Sequence, residues 1–326
     1  VLDLLRLGAY QLLRTRVPQH AAVSATVDLA RRVSTAGPAA FVNAVLRKVA
    51  AHDLPGWLDA LAPADPLEQV ALATSHPRWI ASAFRDALGG DLDETRTALL
   101  ADDARPEVHL VARRMSRDEL VVASGGIAGP WSPRAVRLAE GAPGELAAIR
   151  DGRAGVQDEG SQLVALALAA APLAGPDRLW LDVCAGPGGK AVLLDGLAAD
   201  RGARLLAVEV QPHRARLVRQ SGVREVVVAD SRALPVGDGT ADRVLIDAAV
   251  AALRPGGLLA YVTCSPHLVE TVVPVSDALR RHAGLEQLDA RPLLPGVPDL
   301  GAGPAVQLWP HRHGTDAMFL ALLQRH

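Results

Sequence analysis

The residues Cys184-Ala185-Gly186-Pro187-Gly188-Gly189-Lys190 lie between an apolar run that reads as a strand and one that reads as a helix. Glycines there let the backbone approach a bound ligand, and the helix N-terminus offers N–H groups with no partner of their own. A phosphate-cradling P-loop needs Gly at 184 and Ser or Thr at 191; Cys184 and Ala191 stand there, so that chemistry fails. A dinucleotide fingerprint is met by Gly186, Gly188 and Ala191, with Glu209 placed to hold a ribose. S-adenosylmethionine asks for the same glycine turn and acid, and for a polar residue after the third strand, where Asp230 stands. Lys190 is one of only two lysines among 34 basic residues, Lys48 being the other, which makes its placement informative.

The elements that must position these residues follow a repeating pattern of strand, turn and helix. Predicted strands cover Arg178–Val183, Leu205–Val210, Glu225–Ala229, Arg243–Ile246 and Gly257–Thr263. Nearly continuous apolar strands alternating with helices indicate a parallel sheet covered on both faces, with ligands at the carboxyl strand ends. One interval does not fit. Leu253-Arg254-Pro255-Gly256 reads as the turn leading into the fifth strand, so only Ala248–Ala252 is left for a crossover. A parallel crossover needs about a dozen residues. Either these strands are not parallel neighbours, or a segment is missing here, and the second is the expectation.

Upstream, residues 1–75 read as helices, with apolar periodicity at Leu4, Leu5, Leu12 and Leu13 and again over Ala21–Arg32 and Pro38–Val49. Gly37-Pro38 marks the expected break, with proline opening the third helix. Over residues 1–50, Arg6, Arg14, Arg16, Arg31, Arg32, Arg47 and Lys48 face only Asp3 and Asp28, an excess that suits RNA or, equally, solvated helix faces. Residues 76–150 read as a small α+β segment with a strand over Pro106–Ala112. The chain opens on Val1 rather than methionine, so the helical region is expected to be incomplete at its start.

Of 326 residues 49% are hydrophobic and 21% charged, and the formal net charge is −2, the profile of an ordinary globular protein of about two domains. Two cysteines exclude a disulfide scaffold and a four-cysteine zinc site; no metal is expected. The longest apolar run, Leu163–Ala171, has nine residues against the roughly 20 of a bilayer span. With no leader pattern visible, the expectation is a cytoplasmic protein without membrane contact.

Beyond these readings, Cys184–Lys190 resembles the signature loop of the Sun/Fmu family of RNA cytosine-5 methyltransferases. Gln157–Gln162, Ala207–Val210, Val228–Asp230, Val244–Ala248, Tyr261–Ser265 and Leu308–Asp316 resemble further family segments. Val17–Val23 and Phe41–Arg47 resemble the NusB-like RNA-binding domain of the RsmB-type subgroup. The resemblance implies an α/β Rossmann-like methyltransferase domain with a mostly parallel seven-stranded sheet over 151–326. It implies an all-α NusB-like domain over 1–75, with the α+β segment over 76–150 between them. The reaction implied is methyl transfer from S-adenosylmethionine to C5 of a cytosine in small-subunit rRNA, unassembled into a subunit, through a Cys–C6 adduct. The cofactor would be held by Cys184, Ala185, Gly186, Pro187, Gly188, Gly189, Lys190, Glu209, Asp230 and Asp247, with Glu209 on the ribose and Asp230 on the adenine amine.

The family's Thr-Cys motif makes Cys264 the implied nucleophile, Asp247 the group at the cytosine N3–amine edge, and Lys190 a positive charge near the base. Their bland counterparts are a buried core cysteine, a helix cap and a solvated lysine. Cys184 is read as a backbone and packing position, Gln157 and Asp158 as turn or cap residues, and His311, Gly314 and Asp316 as architecture. Family members carry Pro-Cys after the Asp247-Ala248 pair, where this chain has Ala249-Val250. The missing segment is expected to hold it; a true deletion would instead favour a catalytically silent RNA-binding protein. A nicotinamide-dependent dehydrogenase rests on the glycine pattern alone.

Overall fold

The computed structural model describes residues 1–245 and 250–326, which divide into two units, Val1–Ala81 and Ser82–His326. In the first, helices α1 (Leu2–Arg14), α2 (Gln19–Val33) and α3 (Ala36–Val49) close around Leu4, Val27, Ala30, Val42 and Leu46. Gly8 lets α1 and α3 approach: a Cβ there would lie 2.5 Å from Leu46 Cδ1. The break between α2 and α3 falls at Ser34-Thr35 and not at Gly37-Pro38. Pro38 sits in the first turn of α3, where its missing N–H breaks no bond. Two short helices, α4 (Leu54–Ala60) and α5 (Pro66–Ala73), are capped by the carboxylates of Asp53 and Asp65. The division of the units falls within α6 (Arg78–Ala87).

The second unit continues with α7 (Leu92–Asp102) and a small antiparallel sheet built from β1 (Val108–Ala112), β2 (Ile127–Ala128), β3 (Ala135–Leu138) and β4 (Ala154–Val156), in the order β2-β3-β1-β4. Helices α8 (Arg117–Ser124) and α9 (Ala147–Arg150) pack on it. Alternation along β1 sends Leu110 and Ala112 to this small core and Val111 to the large one.

Helix α10 (Glu159–Ala170) leads into the large sheet. Its strands are β5 (Leu179–Asp182), β6 (Arg204–Val208), β7 (Glu225–Val227), β8 (Ala241–Leu245), β9 (Leu253–Thr263), β10 (Leu285–Leu288), β11 (Val306–Gln307) and β12 (Phe319–Arg325). Helices α11 (Gly189–Ala199), α12 (Pro212–Gln220), α13 (Val272–Arg281) and α14 (Pro310–His313) are interspersed. The order is β10-β12-β9-β8-β5-β6-β7, with β11 paired to β12 outside that path. Neighbours from β9 to β7 are parallel, and β12 runs antiparallel between β9 and β10. This is the expected mostly parallel Rossmann-like sheet, with β11 as an eighth strand beside the seven-strand path. Trp180 faces one core while Leu179 and Leu181 face the other, so both sides of β5 are buried.

Strands β8 and β9 are parallel neighbours, with Arg243 opposite Leu258 and Leu245 opposite Ala260. That disposes of one explanation for the short crossover. Leu253–Gly256, read as a turn, belongs to β9; the register shifts between the Ala241 and Arg243 pairs, and Gly256 turns at φ +77°.

Candidate cofactor and catalytic site

The parallel strands bring their carboxyl ends to one edge. The chain passes from β5 outward to β6 and β7, then resumes on the other side of β5 with β8 and β9. That reversal is the topological switch point, where open α/β sheets bind ligands.

The turn after β5 is tied to its neighbours by main-chain bonds. Val183 N–H donates to Leu245 O at 3.3 Å and Ala185 N–H to Val208 O at 3.1 Å. Gly186 N–H donates to Glu209 Oε2 at 3.0 Å, and Arg214 donates to Gly186 O at 2.5 Å. Two glycines are demanded here. A Cβ on Gly186 would meet Glu209 Oε2 at 2.4 Å; Gly188 has φ +119°, and its Cβ would meet Ser221 Oγ at 2.5 Å. Helix α11 then starts at Gly189 with no side-chain cap, leaving its first N–H groups for a ligand. Pro187 is exposed and Ala185 buried.

Cys184 corrects the packing half of its reading. Its N–H donates to Asp182 Oδ1 at 3.3 Å, but its side chain is exposed, because the turn faces it outward. Glu209, 4% exposed, accepts from Gly186 N–H with one oxygen and from Gln211 N–H with the other, at 2.9 Å. It clamps the loop to β6, with acceptor capacity left on each oxygen. Asp230 stands after β7 in a forked pair with Arg232, whose hydrogen bonds hold it down to about 2. Lys190 reaches Ser161 Oγ at 3.3 Å. Cys264 follows β9 directly and is exposed, not the buried core residue that was its bland counterpart. Asp247, expected at the end of β8, lies outside the described residues.

Several participants escaped the sequence reading. Asp182, the last residue of β5, is 3% exposed. Burial pushes its carboxyl up to about 6, against the pull of Lys190 and the Cys184 N–H. The available signal was its place as the first polar residue after an apolar strand. Ser161 and Arg214 carried no such signal. Asp158 caps α10 through Ser161 N–H at 2.9 Å, as read, and its other oxygen accepts from Asp316 N–H at 3.1 Å. Gln157 does more than turn the chain: it packs 3.9 Å from a Cβ position on Gly189, and its Oε1 is buried without a hydrogen-bond partner. Burial and the nearby Asp158 raise the Asp316 carboxyl. His311 serves architecture, bonding Glu94 at 3.0 Å, and Gly314 ends α14 at φ +66°. A glycine cradle, an open helix N-terminus, a strand-end acid and an orphaned amide oxygen together fit an adenosyl ligand.

Asp182 gives a pH prediction. Its folded pKa exceeds the unfolded 3.8, so the folded state binds the proton more tightly, and stability falls as pH rises through roughly 4 to 6. Asp182→Asn removes that titration. Wild type should lose on the order of 1–3 kcal/mol relative to the variant between pH 4 and 7. Thermal unfolding of both proteins across that range measures it; parallel curves would refute the raised carboxyl.

Comparison with known proteins adds the following. A family model described as NusB family matches residues 1–51. One described as 16S rRNA methyltransferase RsmB/F matches 169–253 and 240–324, two pieces that meet around the β8–β9 connection. The chain is 50% identical to the protein Rv1407 of Mycobacterium tuberculosis, named for a methyltransferase, over all of this chain and 80% of that one. That alignment runs over 370 positions against 326 residues here, so gaps open within this chain. It is 31% identical to the ribosomal RNA small subunit methyltransferase B of Xanthomonas campestris, over 98% of this chain and 79% of that one. The solved structure of PH0851 shares the fold at a TM-score of 0.79, with 20% identity over 99% of this chain and 81% of that one.

Proposed function

Since this chain belongs to the 16S rRNA methyltransferase RsmB/F family and uses S-adenosylmethionine, we propose that it methylates C5 of a cytosine in small-subunit rRNA through a Cys264–C6 adduct. The observation carrying this reading is that an exposed thiol and the glycine cradle occupy the same carboxyl edge of one sheet. The cofactor, when bound, supplies an activated methyl group on a sulfonium. What the chain must add is a nucleophile, because C5 of cytosine is a poor one.

The Cys264 thiolate adding to C6 makes C5 enolate-like; once C5 carries the methyl group, loss of the C5 proton and cleavage of the C6–S bond restore the ring and free the thiolate. Asp247 takes the N3–amine edge, favouring that addition, and Lys190 supplies positive charge beside the base. Gly186, Gly188 and the α11 N-terminus seat the cofactor, Glu209 meets its ribose and Asp230 its adenine amine. The target base lies in a loop or is flipped from its stack to reach Cys264.

Residues 1–75 serve as the NusB-like RNA-binding domain, 76–150 as the α+β segment and 151–326 as the methyltransferase domain, supported at the start by the match over 1–51. No described helix is long and apolar enough to cross a membrane. The substrate, rRNA not yet assembled into subunits, places the protein in the cytoplasm.

Incubation with bare small-subunit rRNA and methyl-labelled S-adenosylmethionine tests the reading: label should appear as 5-methylcytosine at one position. The Ala249-Val250 pair in place of Pro-Cys favours the silent RNA-binding alternative. RNA binding with no label in cytosine would establish that alternative and overturn the enzyme.

A further inference from the structure

In the α+β segment, β1 is followed directly by two consecutive arginines, Arg113 and Arg114. With Arg134 they line a cavity of about 420 Å³ against the outer side of α11, between Val192 and Ala199. A fourth arginine on its wall, Arg224, is committed to Asp195, with Nε bonds of 3.0 and 3.1 Å. The remaining acid on the wall is Asp200. Arg113, Arg114 and Arg134 have no carboxylate partner among the described ion pairs. Arg134 Nη1 donates to Ala112 O at 3.2 Å, and Arg114 Nη2 to Asp151 O at 3.1 Å. Arg113 Nε is buried with no hydrogen-bond partner at all.

The backbone is shaped around these groups. A Cβ on Gly155 would lie 2.3 Å from Arg113 Nη2, and one on Gly152 would lie 2.9 Å from Arg114 Nη2. Either side chain would push its guanidinium aside. Burial and the neighbouring Arg114 hold the Arg113 pKa below its ordinary value, the mark of a cation set among cations without an anion. A buried donor left unpaired and two adjacent like charges are both unfavourable unless an anion completes the set. Arginine forks match phosphate oxygens in pairs.

We propose that the Arg113–Arg114–Arg134 cavity binds a backbone phosphodiester of the RNA substrate, away from the methylated base. The inference rests on the rRNA reading above. The cavity borders α11 from Val192 to Ala199, three to ten residues beyond Gly189 at the cofactor loop, or roughly 5 to 15 Å of helix rise. A contact at that remove fixes how the strand lies without reading its sequence.

The test is binding of a single-stranded RNA oligonucleotide of arbitrary sequence across a salt series, because phosphate contacts are sequence-independent. Arg113→Gln/Arg114→Gln should weaken binding about tenfold and flatten the slope of log affinity against log salt by about 1. Arg114→Glu, at an exposed position that leaves Arg113 packed, should weaken it by at least as much. S-adenosylmethionine binding should be unchanged in both, since neither residue belongs to the cofactor site. Wild-type affinity and slope in Arg114→Glu would overturn the proposal. So would calorimetric binding of inorganic phosphate that depends on Arg113 while RNA affinity does not, which would mark a free-anion site. Methyl transfer by the wild type is scored separately: a protein that binds RNA through these arginines yet labels no cytosine sinks the methyltransferase reading alone.

Discussion

Cys264→Ala is expected to lower methyl transfer to rRNA by at least about 10⁴-fold while leaving cofactor and RNA affinity within a factor of about two. The size follows from the role. A group that forms the covalent intermediate is not replaceable by its neighbours, and deleting such a nucleophile removes nearly all of the catalysis it shares with them. The structure favours Cys264 over the other thiol for a positional reason. Cys264 directly follows β9, with an exposed side chain, whereas Cys184 lies inside the turn that the cofactor would occupy and donates its N–H to Asp182. Cys184→Ala should therefore change cofactor affinity more than turnover. A second readout separates covalent chemistry from mere support of the site. RNA carrying 5-fluorocytosine leaves fluorine at C5 where a proton must depart, so the adduct persists. Wild type and Cys184→Ala should give a complex stable to denaturing electrophoresis, and Cys264→Ala none. Full turnover in Cys264→Ala would refute the assigned nucleophile.

The same chemistry exposes why part of the site was legible in the sequence and part was not. Loop glycines and strand-end acids can be read because their constraints are local: Gly188 at φ +119° excludes a side chain, and Glu209 follows an apolar run that is buried on both faces. What those acids bond to is not local. Glu209 meets Gly186 from 23 residues away, and Lys190 meets Ser161 from 29. Asp182 was hidden for a different reason. A carboxylate at the end of a buried strand looks like a solvated strand-end acid, and only the packed sheet shows that water is excluded from it. The arginines after β1 were unreadable in the same sense, because a cavity between a small sheet and a helix 80 residues downstream leaves no periodicity. The helix break at Ser34-Thr35 shows a subtler failure: proline marks a first turn, but not which of its positions it occupies.

The crossover is the one place where the sequence said more than the fold. Parallel pairing of β8 and β9 requires the chain to return the length of a strand, yet only seven residues lie between Leu245 and Leu253, too few for a covering helix. The RsmB/F match breaks into two pieces at this point, and the alignment to Rv1407 is longer than the chain. The divided match is in keeping with a segment missing after Ala248, while the longer alignment says only that gaps open somewhere within this chain. If a protein of this sequence turns over repeatedly, release of the product does not depend on the second cysteine.

Arg243→Met is expected to cost about 3–5 kcal/mol, the largest effect on stability that a single side chain in the sheet should produce. Arg243 lies in β8, 3% exposed, and its guanidinium joins three elements. Nε donates to Asp177 at 3.0 Å and Nη2 at 2.9 Å, while Nη1 donates to Leu168 O at 2.6 Å and Ala171 O at 2.8 Å, which closes the end of α10. The cation also lies 5.2 Å from the Trp180 ring centre. Methionine fills comparable volume, so packing alone loses little. What it leaves behind is two helix-end carbonyls without the guanidinium and a half-buried carboxylate with only the Trp180 Nε1–H donor. For a unit of this size, each kcal/mol shifts the melting temperature by about 2–4 °C, so a fall of roughly 10 °C is expected. Asp177 supplies the control. Burial pushes its carboxyl up, but the bonds from Arg243 and Trp180 outweigh that and leave it below the ordinary value. Its contribution is present above the unfolded pKa and is lost as pH falls through the folded one, so the gap between wild type and Arg243→Met should narrow in acid. Asp177→Asn in the Arg243→Met background should cost far less than in wild type, because the partner it would strand is already gone. Equal costs in the two backgrounds would show that the guanidinium works through the helix-end carbonyls alone.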